Sequence, residues 1–89
     1  MLDVKEAAHR ASEYFAGLYA GQSVSDVQLE EVELTEDGQF WLITLSYPVI
    51  PSSERSLMPF ALALQRKYKV FKIDSKTGEV KSMKIRNVE

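Results

Sequence analysis

The residues able to do chemistry are few, and their spacing does not bring them together. His9 is the only histidine and there is no cysteine, which excludes thiolate metal sites, a cysteine nucleophile and disulfides. Position 9 falls opposite the apolar stripe of a helical pattern, and a lone exposed imidazole makes neither a metal site nor a general base. Ser52, Ser53 and Ser56 stand beside Glu54 and Arg55. A nucleophilic serine needs a base and an oxyanion hole, and no histidine is near, so these serines read as turn residues. Glu30, Glu31 and Glu33 form an acidic cluster. Glu31 and Glu33 would share a strand face and could serve as a weak cation site; the simpler reading is a solvated edge that discourages strand-to-strand aggregation. Thr77-Gly78 lacks the glycine-rich strand-to-helix setting of a phosphate loop. Catalysis needs several convergent polar groups in a pocket, and 89 residues leave little room for one. The expectation is a protein that is not an enzyme and uses no cofactor or metal.

A different kind of candidate lies between Tyr47 and Leu64. This stretch holds all three prolines, Pro48, Pro51 and Pro59, yet it is among the most apolar in the chain. Connections are normally polar and short, so a greasy one either packs on its own domain or meets a partner. Its tip carries Val49, Ile50, Leu57, Met58 and Phe60, flanked by Glu54 and Arg55. An apolar centre with a polar rim is how partner surfaces look, and methionine with phenylalanine suits an adaptable contact. The alternative is that these side chains fold back over the sheet. Pro48-Val-Ile-Pro51 also has PxxP spacing, a weak signal because its flanks read as strand.

Those candidates sit on a chain of one domain, residues 1–89, large enough for one modest core. A helix is expected over 4–20: Val4, Ala7, Ala8, Ala11, Phe15, Leu18 and Tyr19 follow the i, i+3, i+4, i+7 pattern. Asp3 and Glu6 have capping-box spacing, and Gly21 is placed to stop the helix. An alanine-rich stripe cannot be buried by the helix alone, so a sheet is required. Four strands are expected at about 26–35, 39–50, 61–74 and 79–87. In the first, the phase slips between Val27/Leu29 and Val32/Leu34, the mark of a β-bulge. Glu36-Asp37-Gly38 signals a tight turn. In the second strand, Trp41, Ile43, Leu45 and Tyr47 share one face and Phe40 and Leu42 the other. The third strand also slips, from Tyr68/Val70 to Phe71/Ile73, and two slipped strands predict a bent, twisted sheet. Residues 56–66 fit a short helix with Ser56 as N-cap, or a backward extension of the third strand through Leu62, Leu64 and Arg66. The strand makes the longer hairpin and is favoured.

Charge is unevenly spread. Residues 1–54 carry ten acids against Lys5 and Arg10; residues 55–89 carry nine bases against Asp74, Glu79 and Glu89. Such asymmetry marks an anion-binding face or, more simply, acidic and basic strands facing each other across one sheet. Arg66, Lys67, Lys69, Lys72, Lys81, Lys84 and Arg86, with Tyr68 and Phe71 interleaved, could bind a single-stranded nucleic acid. The pI near 5.4 argues against a dedicated nucleic-acid binder.

The helix-then-meander order is seen in cystatin-like and PepSY-like domains. Tyr68-Lys-Val-Phe-Lys-Ile-Asp-Ser-Lys-Thr-Gly-Glu-Val80 resembles the PepSY hairpin, in which an apolar strand ends in Asp, turns through Thr-Gly and returns through Val. Asp74 would accept hydrogen bonds from turn amides and Gly78 would supply a left-handed position. PepSY-like domains are commonly extracytoplasmic or attached to membrane proteins, whereas this N-terminus lacks a signal peptide's apolar region and no stretch approaches the roughly 20 apolar residues of a membrane span. Inhibitory cystatins carry Gln-x-Val-x-Gly in their first hairpin loop, and the Pro48–Pro59 connection has no such motif. The resemblance implies a fold and a binding or inhibitory habit, and does not transfer protease inhibition.

The expectation is an α+β protein with one N-terminal helix packed on a bent four-stranded antiparallel meander. Functionally it reads as a small cytoplasmic protein-binding module, an inhibitor or immunity-type protein or a homodimer, using the apolar tip 49–60 and no membrane. The second reading is a sensor binding a small ligand or peptide on the concave sheet face, lined by Trp41, Tyr47 and Tyr68. The third is the nucleic-acid binder.

Overall fold

The computed structural model describes residues 1–19, 26–48 and 66–87. One helix, α1 (Val4–Leu18), precedes four strands: β1 (Gln28–Leu34), β2 (Phe40–Pro48), β3 (Arg66–Asp74) and β4 (Val80–Arg86). The strands form one antiparallel sheet in sequence order. The helix packs across one face, above all against β2. This is the α+β architecture expected from the sequence, and it is consistent with cystatin-like topology. Among the described residues no helix is long and apolar enough to cross a membrane.

The helix starts where its cap dictates. Asp3 is extended (φ −82°, ψ 175°) and its Oδ1 accepts the Glu6 N–H at 2.9 Å, satisfying one of the orphan donors of the first turn. The capping box stays half closed, because the Glu6 carboxylate accepts from Arg10 Nε at 3.2 Å instead. At the other end the Tyr19 N–H donates to the Phe15 carbonyl at 3.2 Å; Gly21, the expected stop, lies outside the described residues. The buried ridge is Ala7, Ala11 and Phe15, while Val4 and Leu18 of the expected stripe are exposed. A straight helix meets a twisted sheet along one i, i+4 ridge, so outlying stripe residues lose contact.

The two alanines bring that ridge close to Ile43 and Leu45 of β2 and to Phe71 and Ile73 of β3, which complete the core. Each of these large side chains contributes roughly 1.5–3 kcal/mol by leaving water. Trp41, Tyr47, Val80 and Met83 ring the cluster.

Register decides which residues share a face. The bulge expected in the first strand is present: Leu29 pairs with Leu45 and Glu31 with Thr44, leaving Glu30 as the additional residue. The slip expected in the third strand is not. β3 pairs one-to-one with β2 from Phe40↔Asp74 to Pro48↔Arg66, and the second irregularity falls in β4, where Lys72 pairs with Ser82 but Ile73 with Val80. Apolar residues in both phases of β3 reflect a central strand with each face partly covered. The sequence ranges 49–50 and 61–65 assigned to strand, and the choice between strand and helix over 56–65, lie outside the described residues; at Arg66 the chain is strand.

At one end of the sheet the hairpin turns close as their residues require. Gly38 (φ 72°) and Gly78 (φ 79°) occupy left-handed positions. Asp37 Oδ1 accepts from Thr35 Oγ1 (2.6 Å) and the Gln39 N–H (3.0 Å). Asp74 Oδ1 accepts from the N–H groups of Lys76 (2.8 Å) and Thr77 (2.9 Å). The two turns are joined through Ser75, whose N–H donates to the Gln39 carbonyl and whose hydroxyl donates to the Gly38 carbonyl. Leu2 is tied to the same place, donating to the Ser75 carbonyl at 2.6 Å and accepting from Trp41 Nε1 at 3.0 Å.

Candidate functional site

The residues singled out as a partner surface, Val49, Ile50, Glu54, Arg55, Leu57, Met58 and Phe60, lie outside the described residues, as do Ser52, Ser53 and Ser56. What the structure places is the base from which that connection leaves. Pro48 and Arg66 are paired across β2 and β3, and the two faces of the sheet are finished differently beneath them.

On the helix face, Phe15, Tyr19 and Tyr47 form an aromatic trio. Phe15 lies 4.6 Å from Tyr19 and 5.0 Å from Tyr47 between ring centroids, and Tyr19 lies 6.4 Å from Tyr47. Tilted contacts at these distances are favourable for ring quadrupoles. Burial, reinforced by the neighbouring Tyr19 phenol, pushes the Tyr47 phenol up from its ordinary value.

On the opposite face, Arg66 acts as a clamp. Its Nη1 donates to Asp26 Oδ2 at 3.0 Å and its Nη2 to the Asp26 carbonyl at 2.6 Å and the Ser46 carbonyl at 3.1 Å. Its Nε donates to Ser46 Oγ at 2.9 Å, and that hydroxyl donates to Glu30 Oε2 at 2.5 Å. Ser46 is fully buried, so its hydroxyl needs these partners. Asp26 sits at φ 56°, a left-handed position uncommon for a non-glycine residue but tolerated by aspartate. Hydrogen bonds from Gln28 and then Arg66 hold its carboxyl below the usual carboxylate range. The β1 bulge is what turns the Glu30 carboxylate toward Ser46.

A second arginine reaches further. Arg86 on the outer strand β4 lies over the same face, donating to Thr44 Oγ1 at 2.9 Å and pairing with Glu31 on the opposite outer strand. The pairing with Glu31 raises the guanidinium pKa above its ordinary value. Thr44, on inner strand β2, is buried.

The remaining candidates separate by face. Trp41 and Tyr47 face the helix, but Tyr68 pairs with Ser46 on the opposite face; the three do not line one surface, because β3 runs in unbroken register. The cations divide as well: Arg66, Lys72, Lys84 and Arg86 lie on the face away from the helix, Lys67 and Lys69 on the helix face, and Lys81 at the β4 irregularity beside Glu79, 3.0 Å away. Lys72 lies 4.3 Å above the Phe40 ring. Glu31 and Glu33 share a face as expected, yet no group of three metal-ligating side chains occurs among the described residues. His9 is exposed, 3.4 Å from Glu13. Thr77 and Gly78 form the turn described above. Acidic and basic strands share one sheet as expected but are not direct neighbours; their charges meet where Arg66 of β3 reaches Asp26 and Arg86 of β4 reaches Glu31.

The Arg66 clamp is the arrangement that sequence reasoning missed. A serine between Leu45 and Tyr47 on an inner strand was its one signal, since a buried hydroxyl demands a partner. Nothing local pointed to Arg66. No family model, curated protein or solved structure matches this chain, so its function is read from its own residues.

Proposed function

We propose that this chain is a small non-catalytic protein-binding module, an inhibitor or immunity-type protein or a homodimer, whose contact is the connection from Val49 to Phe60. The observation carrying this reading is the setting of that connection. A segment with Val49, Ile50, Leu57, Met58 and Phe60, and with Glu54 and Arg55 beside them, springs from a base fixed by the aromatic trio on one face and the Arg66 clamp on the other. A firm base lowers the entropic cost of presenting a contact, and apolar residues with a charged rim supply its chemistry. The cystatin-like order of elements is compatible with an inhibitory habit exerted through a hairpin connection.

The test is substitution at the contact. Met58→Asp and Phe60→Asp are expected to weaken association with a partner captured from the source cell by at least tenfold while leaving a cooperative thermal transition in place. Loss of that transition in both variants would mean that the side chains belong to the chain's own core, and the reading would fail.

A further inference from the structure

We infer that copies of this chain associate head to tail, the β1 edge of one pairing with the β4 edge of the next. The inference rests on opposite chemistry at the two edges of one sheet. Among the described residues neither outer edge is paired with another strand. β1 exposes Leu29 and Val32 toward the helix side and Glu31 and Glu33 toward the other; β4 exposes Ile85, 72% accessible, toward the helix side and places Lys84 and Arg86 on the other.

Edge strands carrying charge resist pairing with their own kind. Two β1 edges would set glutamates against glutamates, and two β4 edges lysines against lysines, which is destabilising for directly opposed residues. A β1 edge against a β4 edge has no such conflict. β1 and β4 already run antiparallel within one sheet, so a copy displaced across the strands and turned to continue the sheet's twist presents β4 to β1 in antiparallel sense with its helix on the same side. Setting Val32 opposite Ile85 of the second copy then sets Leu34 opposite Met83 and Glu33 opposite Lys84. Apolar residues meet on the helix side and opposite charges on the other. Glu33 and Lys84 have no ion-pair partner among the described residues, whereas Glu31 and Arg86 already satisfy each other within one copy. The skewed charge of the two halves of the sequence thereby becomes a polarity of the sheet, negative at one edge and positive at the other. Such a contact is heterologous and repeats from copy to copy.

The experiment is sedimentation equilibrium of the full chain, in low and high salt, with a matched pair of charge reversals. The wild-type mass is expected to rise above 10.1 kDa with concentration in low salt and to fall back in high salt. Glu33→Lys alone and Lys84→Glu alone should each lower the association constant by about tenfold, and mixing the two variants should restore it, because each then offers the other a complementary edge. Both sites are on the surface, and an unchanged thermal transition confirms that the variants fold. A wild-type chain that stays monomeric would overturn the inference. So would association unaffected by either reversal, or a mixture that associates no better than its components. Self-association abolished by Met58→Asp but indifferent to both reversals would place the contact at the connection, sinking this inference and leaving the proposed function standing.

Discussion

The two ends of the sheet are closed by different means. At the turn end, each hairpin is shaped by residues within it, Asp37 with Gly38 and Asp74 with Gly78, and the backbones of Ser75 and Leu2, with the Ser75 hydroxyl and the Trp41 indole, then join the pieces. At the connection end, one side chain does the joining: Arg66 holds Ser46, 20 residues away, and Asp26, 40 residues away. Local closure is specified wherever its few residues occur together. A clamp exists only after β1, β2 and β3 are in register, so it reports on the assembled fold and fixes the base of the connection that carries the proposed contact.

The sharpest way to break that comparison is Arg66→Ala. It removes the charged donor from a buried hydroxyl and carbonyl and should cost about 2–3 kcal/mol. Amide hydrogen exchange in β1 should accelerate near Asp26 to Glu31 while the amides of the Asp74–Gly78 turn keep their protection. Equal acceleration at both ends would mean that the clamp has no regional role.

At the turn end the expected effects are smaller and steric. An alanine at position 78 must adopt φ 79° with its Cβ 3.1 Å from Arg10 Nε and 3.2 Å from a Leu2 methyl group, whereas at position 38 the surroundings are open. Gly78→Ala should therefore destabilise by about 1–2 kcal/mol, and Gly38→Ala by about 1 kcal/mol from backbone strain alone. Chemical denaturation of the two variants measures the difference, and the reverse order would refute the packing of Leu2 and Arg10 on the turn.

The smallest effect is acid sensitivity. Amide hydrogen bonds from Thr77 and Lys76 hold the Asp74 carboxyl below its ordinary value of 3.8. A depressed folded-state pKa adds stability above the unfolded value and loses it as pH falls through the folded one. Asp37, lowered by its bonds from Thr35 and Gln39, acts in the same sense. Asp74→Asn keeps an acceptor but cannot titrate, so its thermal midpoint should fall less steeply than wild type in acid. An unchanged slope would show that the carboxylate form is not what the turn requires.

How far these features could be read in advance follows from their range. The Asp3 cap, the two glycine turns and the Asp74 acceptor are contacts over two to four residues, and the sequence announces each. The Glu30 bulge was also visible, because two apolar pairs in opposite phase flank it within one strand. The slip expected in β3 is absent: Tyr68/Val70 and Phe71/Ile73 lie on the two faces, each at least partly covered, of a central strand in unbroken register with β2. Placement of Tyr68 away from Trp41 and Tyr47 follows from that same register.

Composition and local pattern alone determined one helix, four strands, where the turns fall and which residues cap them, because propensity and short-range hydrogen bonding act within a few residues. Only the tertiary structure decided which cations share a face, that Arg66 and Arg86 are held by acids distant in sequence, and that acidic β1 and basic β4 lie at opposite edges. Those outcomes depend on the order and register of strand pairing, and pairing brings together residues that no local stretch of the sequence contains.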